Sequence, residues 1–203
     1  MAEHVCPVWI GYLLACPVRK LLQNPAKILK PYVNEAMTVA DIGCAMGFFS
    51  LPLAKMVGPN GRIICVDIQE RMIRSLEKRA HKAGLLNRIE RHICKGDSLG
   101  LGDIKERIDF VLASAVVHEV PAINGFFSQI YSAMKSGSKF LVIEPKMHIP
   151  KTDFDTTISI AQKNGFLIID SPMVRSSHAV LLQKGAAVSL PAGAGRGRWP
   201  MTE

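Results

Sequence analysis

The sequence predicts an α/β protein built on a doubly wound, mostly parallel sheet of seven strands. From Thr38 onward, short β-branched runs alternate with segments whose apolar residues recur at helical spacing, as in parallel strands joined by helices. Two further strands, at 166–170 and about 178–183, follow each other without a helix between them. We expect these two strands to pair antiparallel, because a parallel connection needs a longer crossover.

The individual elements follow from the apolar pattern along the chain. Runs rich in β-branched and aromatic residues predict the first five strands, at 38–42, 62–67, about 88–94, 108–113 and 139–144. Apolar residues at helical spacing predict helices at about 47–57, at 69–83, from about 120, and from 152 to 164. Thr152 is the predicted N-cap of the last helix, and Gly84 and Gly165 end two of the helices.

Three parts of the chain differ in composition. Residues 1–31 carry prolines at the starts of short predicted helices, with Asn24 as an N-cap before Pro25, and predict an N-terminal helical cap segment. This segment either packs against the domain or closes over a pocket. Residues 32–184 hold the alternating pattern and form the predicted domain. Residues 185–203 are rich in Gly, Pro and Ala and predict a disordered tail.

The bulk properties fit one folded domain. Of the 203 residues, 48% are hydrophobic, which is enough for a sizeable core. The five cysteines are odd in number and none forms a C-x-x-C pair, so we expect a reducing cytoplasm and no structural zinc. The longest apolar run, 8–16, is too short to span a bilayer, and its flanking charges have the wrong polarity for a signal peptide.

The charge is strongly positive. A formal net charge of +8 favours anionic partners and leaves nucleic acid open. Five basic residues lie on the polar side of the helix predicted at 69–83: Arg71, Arg74, Lys78, Arg79 and Lys82. A solvated helix face is the common explanation of such a run, and an attraction for structured RNA is the alternative.

A glycine turn between the first strand and the first helix is the clearest motif. The strand ends at Asp41, and Gly43 and Gly47 form a turn into the helix, an arrangement typical of nucleotide binding. Asp67 lies 20 residues beyond Gly47, at the end of the second strand. A carboxylate at this position can accept both hydroxyls of a ribose, although it also suits the positive end of the following helix.

The residues of this turn argue against a dinucleotide ligand. The G-x-G-x-x-G fingerprint of dinucleotide sites is broken by Ala45 and Phe48, and Asp41 would repel a pyrophosphate. An acid before the turn suits a ligand with an ammonium group. Asp97 and Ser98, after the third strand, offer partners for the exocyclic amine of a base. Together these groups favour S-adenosylmethionine, which has an amino-acid end, a ribose and an adenine.

With these motifs the chain resembles the class I S-adenosylmethionine-dependent methyltransferases of the small-molecule, type 11-like group. Residues 41–47 resemble the family's D/E-x-G-x-G-x-G motif, and 66–67, 96–97, 108–111 and 134–140 resemble its later motifs. The resemblance covers about residues 25 to 184 and departs from the family at Ala45 and at 136–138, where Ser-Gly-Ser replaces Pro-Gly-Gly.

The resemblance implies a Rossmann-like sheet of order 3-2-1-4-5-7-6 with its last strand antiparallel. It also implies S-adenosylmethionine as cofactor, S-adenosylhomocysteine as product, and an in-line methyl transfer in which the protein supplies orientation and desolvation. The implied cofactor-binding residues follow the strand ends: Asp41, Gly43, Cys44, Gly47, Asp67, Ile68, Gly96, Asp97, Ser98 and Ser114.

His118 and Glu119 are the candidate catalytic residues. They follow the fourth strand, where the acceptor is expected to enter, and His118 is predicted to act as a base or to position the acceptor, with Glu119 beside it. The alternative is that His118 only makes a hydrogen bond near the start of the next helix.

A small molecule is the leading acceptor. Residues 114–119 contain no Asn/Asp-Pro-Pro-aromatic tetrad of base methylation and no Pro-Cys pair, and no set of metal-binding acids is apparent. Structured RNA is second, and arsenite is third because it would need thiols from Cys6, Cys16 or Cys44. A catalytically silent cofactor-binding regulator and a nicotinamide-dependent oxidoreductase are the alternatives outside this class.

Overall fold

The computed structural model describes residues 23–95 and 98–185 and is organised around a seven-stranded sheet. In space the strand order is 3-2-1-4-5-7-6. The first five strands pair in parallel and the seventh pairs antiparallel with both of its neighbours. The predicted fold class and strand order are therefore confirmed. The strands are β1 (Thr38–Ile42), β2 (Arg62–Asp67), β3 (Ile89–Ile93), β4 (Ile108–Ser114), β5 (Met134–Pro145), β6 (Phe166–Asp170) and β7 (Ser177–Lys184).

Five α-helices in the described part of the chain cover the two faces of the sheet. They are α1 (Pro25–Leu29), α2 (Ser50–Met56), α3 (Glu70–Lys82), α4 (Ile123–Ala133) and α5 (Lys151–Lys163). Successive strand residues alternate between two apolar clusters, as the period of two in a strand requires: Val39 and Phe110 pack on one side, Ala40 and Val111 on the other. The first cluster includes residues of α1, α2 and α3, and the second includes residues of α4 and α5.

Three boundaries differ from the prediction. Helix α2 begins at Ser50 rather than near 47, because the preceding residues form a tight turn. Helix α5 begins at Lys151 with Pro150 as its N-cap, so the predicted capping role of Thr152 is wrong; its hydroxyl donates to the neighbouring Asp153 carboxylate instead. Strand β5 begins at Met134, five residues before the predicted start.

The ends of the domain are described only in part. Asn24 caps α1 as predicted, since its side chain accepts a hydrogen bond from the Lys27 amide. Gly185 is still paired, donating its amide to the Gly165 carbonyl. The predicted helices before residue 23 and the tail beyond 185 lie outside the described residues, and the division into three parts stays a prediction. No helix in the described ranges has the length and apolar character to cross a bilayer.

Candidate active site

The candidate site lies where the strand order reverses, beyond the carboxyl ends of β1 and β4. From β1 the chain builds β2 and β3 on one side, and then returns to place β4 and β5 on the other. Open α/β sheets bind ligands in the crevice at such a point. The loops after these two strands meet here, because a Cβ atom added to Gly43 would come within 2.6 Å of the Val116 side chain.

The glycine turn is held by the second strand and by α3. The amides of Gly43 and Cys44 both donate to the Val66 carbonyl, at 2.9 and 3.0 Å. Gly43 and Gly47 have φ values of +71° and +82°, and a Cβ on Gly47 would lie 2.3 Å from Leu76. Left-handed backbone and close packing against protein atoms therefore require both glycines, whether or not a ligand is bound.

Ala45 takes the place of a glycine in conformation as well as in sequence. Its φ is +44°, in the left-handed region that costs an L-residue about 1–2 kcal/mol. The Ala45 amide donates to Asp67 Oδ2 at 2.8 Å. This bond between the turn and the end of β2 holds Ala45 in the unfavourable conformation.

Asp67 is a largely buried carboxylate that accepts hydrogen bonds from the backbone on both sides. Besides the Ala45 amide, the Gln69 amide donates to its Oδ1 at 2.8 Å. Burial raises the pKa of Asp67, and its hydrogen bonds from backbone amides partly counteract this rise. An ionised carboxylate offers about four acceptor positions, so the two oxygens retain capacity for further donors. The next residue, Ile68, is 41% exposed and presents an apolar surface beside the carboxylate.

Asp41 lies deeper, at the end of β1. Its side chain is 2% exposed, and Oδ2 accepts a hydrogen bond of 2.5 Å from the buried hydroxyl of Ser50 in the first turn of α2. Burial raises the pKa of Asp41 to about 7, the Ser50 hydrogen bond lowers it, and the charge of Asp67 raises it. Two carboxylates thus flank the glycine turn, and the ionised form of Asp41 is stabilised by any cation that approaches it.

Arg79 of α3 contributes to this site although its sequence position indicated a solvated helix face. Its guanidinium donates to the Met46 carbonyl inside the glycine turn, and its burial lowers its pKa. Two further cations nearby are paired with carboxylates: Arg74 bonds Glu70 at 2.6 Å, and Arg91 of β3 bonds Glu77 at 2.5 Å. Within the charge run, Arg79 therefore braces the turn and Arg74 forms a surface ion pair.

Ser98 and Ser114 are predicted cofactor residues that lie after β3 and at the end of β4. Ser98 is exposed, exchanges backbone hydrogen bonds with Lys95, and accepts from the Gly100 amide through its hydroxyl at 3.3 Å. Ser114 ends β4, opposite Ile143 of β5. The other two, Gly96 and Asp97, lie outside the described residues.

The Cys44 thiol is buried in the core beneath the glycine turn. It is 4% exposed, and burial raises its pKa well above the ordinary value. A buried, protonated thiol does not act as a soft ligand at the surface. The arsenite hypothesis therefore loses Cys44, while Cys6 and Cys16 lie outside the described residues.

His118 and Glu144 form a hydrogen-bonded pair beside the turn. His118 lies in a short 3-10 helix, Val117–Glu119, and its Nδ1 is 2.6 Å from Glu144 Oε2 at the end of β5. The other oxygen of Glu144 accepts the amides of Val116 and Val117, at 3.2 and 2.8 Å. The hydrogen bond to the Glu144 carboxylate raises the pKa of His118, burial lowers it, and the charges of Glu144 and Glu119 raise it.

The structure brings most of the predicted site together and adds two residues. The loops that carry Asp41, Asp67 and His118 meet at one edge of the sheet. Glu144 and Arg79 were not among the predicted site residues. Glu144 ends the strand beside β4, so the predicted strand order already placed it near His118. The sequence contains no pattern that predicts the contact between Arg79 and the Met46 carbonyl.

Comparison with known proteins identifies the family. A family model described as a methyltransferase domain matches residues 33–181, which is most of the chain. The chain belongs to this methyltransferase-domain family. The predicted family resemblance is thereby confirmed.

Individual relatives are distant. A demethylmenaquinone methyltransferase of Lactobacillus johnsonii is 27% identical over 51% of this chain and 42% of its own length, so the chain spans less than half of that protein. A probable cobalt-precorrin-6B C(15)-methyltransferase (decarboxylating) of Saccharolobus solfataricus is 25% identical over 85% of this chain and 82% of its own. The crystal structure of a SAM dependent methyltransferase from Aquifex aeolicus has the same fold, with a TM-score of 0.79 and 23% sequence identity. The superposition covers 89% of this chain and 100% of the other.

Proposed function

We propose that this chain is an S-adenosylmethionine-dependent methyltransferase that acts on a small-molecule acceptor by in-line methyl transfer. The observation that carries the proposal is the pair of buried carboxylates, Asp41 and Asp67, on either side of the glycine turn at the strand-order reversal. Fold alone does not determine chemistry, whereas these two side chains determine which ligand charge the site accepts.

The residues at the turn fit this cofactor better than a dinucleotide. A negative pair of carboxylates suits an ammonium group and ribose hydroxyls, and it opposes a pyrophosphate. In the proposal Asp41 attracts the ammonium group, Asp67 accepts the ribose hydroxyls, and Ile68 packs against the adenine. The other proposed contacts of the cofactor are of two kinds. The turn contributes its backbone at Gly43, Cys44 and Gly47. The later strand ends contribute residues around the base and the methionine end: Gly96, Asp97, Ser98 and Ser114.

When bound, the cofactor supplies a methyl group on a sulfonium, and the chain's own residues orient the acceptor and exclude water. The acceptor side of the proposed site is the loop after β4. His118 is the proposed base or positioning group, and Glu119 lies close to it, with 3.9 Å between Glu119 Oε1 and His118 Nε2. Glu119 is the second proposed acceptor-side residue, through its charge.

Two observations support a small-molecule acceptor. The names of the matched relatives state small molecules, demethylmenaquinone and a cobalt-precorrin. Within the basic run of α3, Arg74 is paired with Glu70 and Arg79 bonds the glycine turn, so two of its five basic side chains are engaged with protein atoms. Pairing of this kind weakens the phosphate attraction that RNA binding requires.

Methyl transfer from labelled cofactor distinguishes the acceptors. We would incubate the protein with S-adenosylmethionine labelled at the methyl group and either a filtered small-molecule extract or total RNA. Label in the small-molecule fraction that disappears in the Asp67→Asn variant supports the proposal. Label in RNA alone would overturn the small-molecule acceptor, and no transfer despite cofactor binding would favour the silent regulator.

A further inference from the structure

Glu144 is a buried acid with three hydrogen-bonding partners. It is 2% exposed, its Oε1 accepts two backbone amides of the loop after β4, and its Oε2 bonds His118. A buried carboxylate is costly unless hydrogen bonds compensate it, and here every bond reaches the loop on which the acceptor is proposed to bind. Glu144 thus joins the end of β5 to that loop.

The Glu144 bond determines which nitrogen of His118 carries the proton. When Glu144 is ionised it only accepts, so the neutral imidazole must donate from Nδ1, which leaves the lone pair on Nε2. The imidazole is 28% exposed, enough for a small acceptor to reach it. The 3.9 Å separation from Glu119 is too long for a hydrogen bond to Nε2.

We propose that Glu144 and His118 form a base dyad for an acceptor that arrives as a neutral hydroxyl compound, a phenol or an enol, with Glu144 as the positioning residue. This inference rests on the proposed methyltransferase function. The acceptor hydroxyl loses its proton to Nε2, and the electron pair of the O–H bond stays on the acceptor. The new bond to the methyl group forms at an acceptor atom conjugated with that oxygen, or at the oxygen itself, while the S–CH₃ bond breaks, its electron pair stays on sulfur, and S-adenosylhomocysteine leaves. His118 leaves the step as an imidazolium and passes its proton to solvent.

The arrangement favours a hydroxyl over an acceptor that needs no base. A neutral nucleophile with a free lone pair would gain nothing from a buried acid that orients a histidine. A carbon acceptor becomes nucleophilic when a hydroxyl conjugated with it loses its proton. Glu119 and Glu144 would also attract a cationic amine, so an amine is the competing acceptor class in the test.

The tautomer can be observed without any acceptor. We would label the protein with ¹⁵N-histidine, identify His118 by its loss in His118→Asn, and follow its two nitrogens from pH 5 to 9. The expected result is a Nδ1–H tautomer in the neutral form and a titration midpoint above that of an ordinary histidine. A Nε2–H tautomer in the unaltered protein would overturn the dyad whether or not the protein is a methyltransferase.

Glu144→Gln separates positioning from folding. The amide oxygen still accepts the Val116 and Val117 amides, while the NH₂ group now donates to Nδ1 and forces the proton onto Nε2. We expect unchanged cofactor affinity, a His118 titration at lower pH and a fall in kcat of about a hundredfold or more. Glu119→Gln is the matched control and should leave the tautomer unchanged. An unchanged titration in Glu144→Gln would refute the positioning role.

The acceptor class is tested with defined probes under nitrogen. The probes are 1,4-dihydroxynaphthalene, its dimethyl ether and phenethylamine, with labelled S-adenosylmethionine as donor. We expect methylation of the diol alone, with a rate that rises with pH through the His118 titration. No transfer to the diol, or equal transfer to the dimethyl ether or to the phenethylamine nitrogen, would overturn the hydroxyl assignment. Failure of S-adenosylmethionine to bind would overturn the proposed function but not the tautomer.

Discussion

Replacing Asp41 by Asn should stabilise the folded protein at neutral and alkaline pH. The amide keeps the size of the side chain and its oxygen still accepts the Ser50 hydroxyl, so the main change is the loss of a buried, ionisable group. The native pKa of Asp41 is about 7 and its ordinary value is 3.8, a rise of about three units. At about 1.4 kcal/mol per unit, the ionised carboxylate costs the native state up to about 4 kcal/mol.

The sign of the pH dependence follows from this rise. Between the two pKa values the native state binds more protons than the unfolded state, so stability contributed by Asp41 falls as the pH rises. The loss begins above about pH 4 and is complete above about pH 7. We would measure the free energy of unfolding in urea from pH 4.5 to 8.5. Asp41→Asn should flatten the slope, and Ser50→Ala, which removes the bond that lowers this pKa, should shift the loss to higher pH.

The same variant should bind S-adenosylmethionine more weakly although it is more stable. In the proposed function the ionised Asp41 is compensated by the ammonium group of the cofactor, and an uncharged amide gives no such attraction. We expect the Kd to increase about tenfold, from about 1.4 kcal/mol of lost attraction. Parallel stability curves for the two proteins at every pH would refute the assignment of this pKa, and an unchanged Kd would refute the ammonium contact.

Three other changes test the turn. Ala45→Gly should raise the free energy of unfolding by about 0.5–1 kcal/mol by relieving the left-handed alanine, whereas Ala54→Gly inside α2 should lower it by about 1 kcal/mol; equal effects in urea denaturation would contradict the strain. Asp67→Ala should lower both the stability and the cofactor affinity because the Ala45 and Gln69 amides lose their acceptor, whereas Asp67→Asn, which keeps one acceptor oxygen, should lower the stability by less; equal losses of stability in urea denaturation would contradict this. Arg79→Met should weaken cofactor binding several-fold by releasing the Met46 carbonyl, and Lys78→Met, one residue away and exposed, should not; identical affinities for the two variants would remove the bracing role.

The strand–helix pattern was sufficient to predict the fold, and the strand ends were sufficient to predict which acids lie at the candidate site. Asp41 and Asp67 lie at the ends of β1 and β2, His118 follows β4, and parallel strands bring their carboxyl ends to one edge. Their neighbourhood was therefore predictable from order alone. The sequence also predicted the glycine turn, and it explained the glycines by the approach of a ligand. The structure adds a second reason, because a Cβ at Gly43 or Gly47 would clash with protein side chains.

The remaining features depend on contacts between residues far apart in the sequence. Arg79 lies 33 residues from Met46, and although the strand order places Glu144 near His118, the hydrogen bond between them joins residues 26 apart. A basic run on a helix has the same pattern whether its members are solvated or brace a loop. The start of α2 at Ser50 was missed because a left-handed alanine at Ala45 has no local sequence signal.

The most direct test of the central claim is equilibrium binding of cofactors to the unaltered protein by calorimetry. Asp41 and Asp67 together predict that S-adenosylmethionine and S-adenosylhomocysteine bind, that NAD and NADP do not, and that Asp41→Asn and Asp67→Asn both weaken the binding. Binding of NAD or NADP in the absence of any affinity for S-adenosylmethionine would contradict the assignment of this site.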